Sequence, residues 1–106
     1  MEPLLMANDV GGMVYVGKNE LIIKFSKGVE HTIRVNTKEL WKLLNSKSDA
    51  DWENEKVLIE PMYVDTDTLK MFVLITIKNS GQDDDIATVF QNDFKRALNT
   101  IEYMPN

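Results

Sequence analysis

The sequence predicts an α+β fold, in which one antiparallel sheet of five or six strands is covered by a long C-terminal helix. Two observations lead to this prediction. Residues 13–35 and 56–78 are rich in valine, isoleucine and aromatic side chains between turn signals, as is typical of antiparallel strands. Residues 83–104 instead repeat apolar side chains at helical spacing. The predicted order is β-β-β-α-β-β-α, within a single domain that spans residues 1–106.

The N-terminal part predicts a three-stranded meander after a lead-in over residues 1–12. The lead-in carries a short edge strand from Pro3 to Met6. Turn signals at residues 17–19 and at Lys27-Gly28 then divide residues 13–35 into three runs. In the third run, inner-face residues alternate with polar residues, the period-two pattern of a strand with one face on the core. The inner-face residues are Val29, His31, Ile33 and Val35.

Residues 36–45 predict a short helix. Asn36 followed by Glu39 is a capping arrangement, in which the asparagine side chain accepts a hydrogen bond from a free N–H of the first turn. Three leucines at positions 40, 43 and 44 fall on one helical face, with Trp41 at its flank. This face is expected to cover part of the core.

Two further strands are predicted over residues 56–64 and 69–78. The second of these runs is apolar on both faces at its centre, which indicates an interior strand. Pro61 cannot donate a ladder hydrogen bond, so the first run is expected to be an edge strand or to carry a bulge there.

The long helix predicted over residues 83–104 is expected to form a layer of the core, with Phe90 and Phe94 buried. The three aspartates from Asp83 to Asp85 stand where acidic side chains stabilise the free N–H groups of a first helical turn. A metal site is the alternative. Adjacent helical residues point about 100° apart, however, so the three carboxylates do not converge on one ion. We predict aspartates that begin a helix.

A second acidic pattern superficially resembles a calcium loop but does not satisfy its requirements. Calcium loops place oxygen ligands at alternate positions, with glycine at position six and a bidentate glutamate at position twelve. Position six is Asn54 here, and the following residues predict a strand where an exiting helix is required. We therefore predict no metal site and no cofactor. The acidic residues of the pattern are Asp49, Asp51, Glu53, Glu55 and Glu60.

His31 and Asp93 are candidates for a polar contact at the edge of the core. His31 is the only histidine, and Asp93 falls inside the apolar arc of the predicted helix, where a carboxylate requires a partner. A His–Asp pair can orient a general base, but no serine or glycine-rich elbow provides a nucleophile. We predict a structural contact, no catalytic residue, and a protein that is not an enzyme.

Composition narrows the classes of partner and compartment. The net charge is −5, and only two of the twelve basic residues are arginines, so a nucleic-acid partner is not expected. The chain has no cysteine, and its N-terminus lacks the basic start and apolar run of a signal peptide. No apolar run is long enough to span a bilayer. These features predict a cytoplasmic protein without a membrane partner.

The leading functional hypothesis is a small non-catalytic binding protein of a bacterium, phage or plasmid that acts through protein–protein contact. It would be of the inhibitor, immunity or accessory type. Trp52 stands alone among acidic residues in a polar loop, so it is either an anchor for a basic partner or a cover for the cluster beside Trp41. The proposed partner-binding residues are Trp52, Asp49, Asp51, Glu53 and Glu55.

Two alternatives stay open. The first is a nucleic-acid-associated regulator that uses Lys24, Lys70 and Lys78 as a local patch on the sheet. The second concerns assembly, since a homodimer is compatible with the sequence.

Overall fold

A computed structural model shows two successive sets of four strands and one helix. In each set the four strands lie in chain order within one antiparallel sheet, and the helix follows the fourth strand. The residues that the structure describes are 3–6, 12–26, 28–46, 50–63, 71–78 and 85–103.

The first sheet confirms the predicted meander and the short edge strand before it. Its strands are β1 (Pro3–Leu5), β2 (Met13–Gly17), β3 (Glu20–Lys24) and β4 (Glu30–Arg34). Because successive side chains of a strand point to opposite faces, one face of β2 and β3 lies inward, where Val14, Val16, Leu21 and Ile23 are buried.

The turns of this meander follow from the backbone freedom of two residues. Asn19 joins β2 to β3 with a φ of 59°, and Gly28 precedes β4 with a φ of 92°. Asparagine and glycine are the residues that adopt the left-handed region at least cost. At the second turn the Phe25 N–H donates to the Val29 carbonyl oxygen over 2.8 Å, which closes the hairpin.

Helix α1 (Thr37–Asn45) begins where the capping pattern predicts. The Asn36 side chain accepts a hydrogen bond from the Glu39 N–H over 3.0 Å. Leu40 and Leu44 are buried on the inner face, whereas Leu43 is only partly buried. The cap and the leucine spacing thus fix both the start of the helix and the face that it buries.

The second sheet contains β5 (Trp52–Glu53), β6 (Val57–Tyr63), β7 (Met71–Ile77) and β8 (Asp85–Phe90). As predicted, β7 is an interior strand, because it pairs with β6 on one side and β8 on the other. Pro61 lies beyond the reach of β5, which pairs only with Leu58 and Ile59 of β6. Its missing N–H therefore faces no ladder on that side.

The C-terminal segment differs from the single helix predicted over residues 83–104. Asp85–Phe90 forms β8, and helix α2 covers only Gln91–Tyr103. The apolar residues at 86, 89 and 90 fit helical spacing, but β-branched and aromatic side chains favour a strand there. Asp85 therefore begins a strand, and the helix-start role predicted for it is wrong. Asp83 and Asp84 lie outside the described residues.

The predicted single sheet of five or six strands is replaced by two sheets of four strands each. The prediction failed at two places in the second set. Trp52–Glu53 was assigned to a loop but pairs with β6, and β8 was assigned to the terminal helix. The α+β class and the C-terminal helix are confirmed.

One hydrophobic core joins both sheets and both helices. Helix α2 contacts α1, β2, β7 and β8, so it reaches both sheets. Phe94 is completely buried, as predicted, but Phe90 is only partly buried and stacks beside Phe72 with ring centroids 5.2 Å apart. The largest completely buried side chains include Phe94, Leu21, Ile23, Leu40, Ile59, Ile75 and Leu98.

Candidate functional site

Trp52 is partly buried and packs against the core. Its backbone pairs with Ile59 of β6, and its indole N–H donates to Glu39 Oε2 of α1 over 2.7 Å. Trp41 makes a different contact, in which its indole N–H donates to Asn99 Oδ1 of α2. These contacts therefore hold the Trp52 ring in place, with part of it covered by the core and part exposed.

The acidic residues beside Trp52 are in unequal electrostatic environments. Asp51, Glu53 and Glu55 are exposed. Glu53 forms an ion pair with Lys78, whose ammonium also donates to the Asn54 carbonyl oxygen over 3.0 Å. Within the described part of the chain, Asp51 and Glu55 make no ion pair. Asp49 lies outside the described residues, so its predicted place in this site is not described.

Two of the three lysines of the proposed nucleic-acid patch contact other side chains. Lys24 lies 3.9 Å from the Glu30 carboxylate and 5.4 Å from the centre of the Tyr15 ring. Lys78 is paired with Glu53, and Lys70 lies outside the described residues. The nearby carboxylates of Glu30 and Glu53 reduce the positive charge that these two lysines offer to phosphates, which weakens this alternative.

His31 has a different partner from the one considered in the sequence. Its Nε2 atom lies 3.0 Å from Asp85 Oδ2, and the contact joins β4 of the first sheet to β8 of the second. Asp93 instead lies 3.6 Å from Arg96 on the exposed side of α2. The proposed His31–Asp93 pair is therefore wrong. Its error follows from placing residues 83–90 on the helix.

A partly buried polar cluster at the end of α2 was not predicted. The Glu102 carboxylate accepts hydrogen bonds from the Lys18 ammonium over 2.8 Å and from the Thr37 hydroxyl over 2.6 Å. The Asn19 N–H donates to the Thr37 hydroxyl oxygen over 3.2 Å. Thr37 is completely buried, and the Glu102 side chain is 9% exposed. Residues so distant in the sequence leave no local signal of this contact.

The hydrogen bonds to Glu102 determine its protonation. The bond from the Lys18 ammonium, followed by that from the Thr37 hydroxyl, holds the pKa of the Glu102 carboxyl below its usual value. Partial burial acts in the opposite direction but is the weaker influence. Glu102 is therefore an ionised acceptor that fixes the end of α2 to the first sheet and to α1.

An open groove of about 530 Å³ runs beside β4, between the two sheets. It is lined by β4 along its whole length and by Lys56, Ile77 and Lys78 of the second sheet. Ile33 and Ile77 are buried, whereas Arg34 and Lys56 are exposed. The groove could not be predicted from the sequence, because its lining comes from both sheets.

Chemistry at a metal centre has no support among the described residues. No group of three or more histidine, aspartate or glutamate side chains converges there on a point that could hold a metal ion. Asp51 precedes β5, Glu53 ends it and Glu55 follows it, and Glu53 is paired with Lys78.

Comparison with protein-family models, with curated protein sequences and with solved structures found no match. Among the described helices, neither is long and apolar enough to cross a membrane. The function is therefore inferred from the surfaces of this chain.

Proposed function

We propose that this protein is a small, non-catalytic binding protein that acts through contact with a basic surface of another protein. It is of the inhibitor, immunity or accessory type and comes from a bacterium or a mobile element. The contact surface is centred on Trp52 and includes Asp51, Glu53 and Glu55. Asp49 is retained in this surface on the sequence argument alone.

The observation that supports this proposal is the partly exposed, hydrogen-bonded side chain of Trp52. Aromatic residues that anchor interfaces are effective when their orientation is fixed before binding, because little conformational entropy is then lost. Packing against the core and the bond to Glu39 provide this fixed orientation. The ring therefore presents an ordered apolar face at the edge of the second sheet.

The unpaired carboxylates beside Trp52 favour a basic partner. Asp51 and Glu55 are exposed and have no ion pair among the described residues, so their charge is available to an approaching surface. Such charges chiefly raise the association rate and the specificity, whereas the buried aromatic contact contributes most of the affinity. The two kinds of residue therefore have separable effects.

The test is a quantitative capture from the native host with the wild-type chain and with the double variant Asp51→Lys/Glu55→Lys. Both positions are exposed, so the variant should keep the wild-type melting temperature. We expect a specific basic protein to be enriched by the wild type and lost from the variant. With that partner purified, the association rate should fall as salt is raised.

The matched control is Glu20→Lys/Asp93→Lys, which makes the same change in net charge on other elements. It should capture the partner as the wild type does. A partner that binds both double variants equally well would contradict the proposed surface. For the anchor itself, Trp52→Phe should keep the packing and weaken binding, whereas unchanged affinity would remove Trp52 from the interface.

A further inference from the structure

The open edge of β4 is a candidate for a second interface. This strand pairs with β3 on one side only and ends the first sheet. The Val35 N–H donates to the Asn19 carbonyl oxygen on the β3 side. The Arg34 carbonyl oxygen accepts from the Asn54 side-chain amide, over 3.0 Å, on the opposite side. Backbone groups of successive strand residues point to opposite sides, so those of Glu30 and Thr32 also face away from β3.

The groove beside this edge has the form of a site for an added strand. Glu30 and Thr32 each direct a backbone N–H and a C=O toward it, and a strand edge of this kind is a template for another chain. Ile33 and Ile77 also border the groove, although their side chains are buried in the core. At the Arg34 end, the Asn54 amide occupies the carbonyl oxygen, so backbone pairing is limited to the Glu30–Thr32 stretch.

The charge of the groove is opposite to that of the whole protein. The chain carries a net charge of −5, yet the groove brings together Arg34, Lys56 and Lys78. Arg34 and Lys56 are exposed and have no ion pair within the described residues. Glu30 is the acidic residue of the lining, and it lies 3.9 Å from Lys24. Two cations are thus left available to a ligand.

Arg34 also borders a second groove, of about 710 Å³, on the neighbouring surface of the first sheet. Thr32 and Arg34 line both grooves, and Lys18 and Glu20 line the second. A segment that pairs with Thr32 therefore passes beside the guanidinium group of Arg34 on the side away from Glu20, its partner on β3. Arginine binds carboxylates through two parallel hydrogen bonds, which adds geometric specificity.

We infer that the β4 edge binds an extended, acidic segment of another protein, which adds to the first sheet as a further strand. Backbone hydrogen bonds to Glu30 and Thr32 fix its register, and alternate carboxylates contact Arg34 and Lys56. A second copy of this chain is a poorer occupant, because its β4 strand offers a single carboxylate, Glu30, which already lies near Lys24, and not carboxylates at alternate positions. Nucleic acid would use the cations but would leave the backbone edge unused.

The experiment is selection of displayed random linear peptides, each of about ten residues, on the wild-type protein. Peptides that bind the support alone are removed between rounds, and the double variant Arg34→Glu/Lys56→Glu, the groove variant, is kept for the affinity measurements that follow. Enriched peptides should be acidic at alternate positions and free of proline between them. Their affinity should fall about tenfold or more on the double variant, and similarly when backbone N–H groups that face β4 are methylated. Amide resonances of Glu30 and Thr32 should shift on titration.

The matched control is Lys42→Glu/Arg96→Glu, which exchanges the same residue types at exposed sites on the helices. It should bind the selected peptides with wild-type affinity. The inference is overturned if no peptide is enriched, if the enriched peptides are neutral or basic, or if they bind the groove variant equally well. It is also overturned if wild-type protein forms a dimer, or binds mixed RNA or DNA oligonucleotides, in a manner that the groove variant abolishes. None of these results affects the Trp52 surface.

Discussion

The two halves of the molecule, residues 3–46 and 50–103, share one order of elements but are stabilised differently. In the N-terminal half the strands β2, β3 and β4 have five residues each and are followed by a helix of nine residues. In the C-terminal half β6 and β7 have seven residues each, and the helix has thirteen. The longer helix, α2, contacts strands of both sheets. Helix α1 packs against α2.

This difference indicates where the stability of the whole chain is concentrated. Long-range side-chain bonds converge on the last two turns of α2, where Asn99 binds Trp41 and Glu102 binds Lys18 and Thr37. Both halves are built from antiparallel strands in chain order, and α2 joins them by its contacts with α1 and β2 of the first half. Changes in α2 should therefore weaken both halves together.

The largest effect is expected for Phe94→Ala. The side chain is completely buried between the sheets, so its removal should lower the free energy of unfolding by about 3–5 kcal/mol. Phe90→Ala should cost clearly less, because Phe90 is only partly buried beside Phe72. Urea unfolding followed by tryptophan fluorescence measures both. Two separate transitions in Phe94→Ala, with the N-terminal half intact after the first, would contradict the shared dependence of the halves.

A smaller loss is expected for Thr37→Val, which keeps the shape of a completely buried side chain but removes its hydroxyl. Glu102 and Asn19 then lose a hydrogen-bond partner inside the interface between the halves. Leaving such groups unsatisfied costs about 1–3 kcal/mol. Thermal unfolding of Thr37→Val beside Thr37→Ser separates the hydroxyl from the methyl group. Equal stability of the valine variant and the wild type would mean that the cluster contributes nothing.

The same cluster predicts a dependence of stability on pH. Folding lowers the pKa of Glu102, so the stabilisation is fully present above the unfolded pKa of about 4.3. It is lost as the pH falls through the lower folded-state pKa. Glu102→Gln should therefore flatten the decline of stability in that acidic range. If the stability of Glu102→Gln declined with falling pH as steeply as that of the wild type, the decline would be due to other carboxylates.

The contact between the sheets at His31 and Asp85 should be weaker. Both side chains are partly exposed, at 23% and 25%, and pairs exposed to solvent contribute only about 0.2–1 kcal/mol. A double-mutant cycle with His31→Gln and Asp85→Asn isolates their coupling at neutral and at acidic pH. A coupling well above this range would make the His31 contact, and not α2, the principal connection between the halves.

The smallest effect is expected for Asp93→Ala. Its ion pair with Arg96 is exposed and lies on a single helix, so the change should alter stability by no more than about 0.5 kcal/mol. This variant is also a control for the others, since the sequence alone placed Asp93 at the edge of the core. A loss comparable to that of Thr37→Val would show that Asp93 has a buried role after all.

The N-terminal half could be predicted from the sequence because its signals are local. The glycine turn before β4, the alternation of Ile33 and Val35 with polar neighbours, and the Asn36 cap each act within a few residues. The C-terminal half was less predictable, since Phe90 is followed at once by Gln91 of α2 with no turn between strand and helix. The valine and isoleucine content of residues 85–90 was the signal that could have separated them.

Whether the candidate sites could be predicted depended on this same boundary between β8 and α2. Trp52 and its acidic neighbours stood out because a lone tryptophan in a polar stretch is a local observation. The His31–Asp85 contact and the β4 groove could not be predicted, because both require the position of β8 and of the second sheet. The contacts of Glu102 could not be predicted for a related reason, since its partners Lys18 and Thr37 lie in the β2–β3 turn and at the start of α1.

The bond between Lys18 and Glu102 has a consequence for the order of folding. It joins residues separated by 84 positions, so forming it closes a loop that contains most of the chain. The entropy of closing so long a loop must be lost before the contact stabilises anything, which places it late on the folding pathway. We expect Lys18→Met to accelerate unfolding and leave the refolding rate nearly unchanged, a φ-value close to zero. If chevron plots showed slower refolding for Lys18→Met than for the wild type, the contact would form early instead.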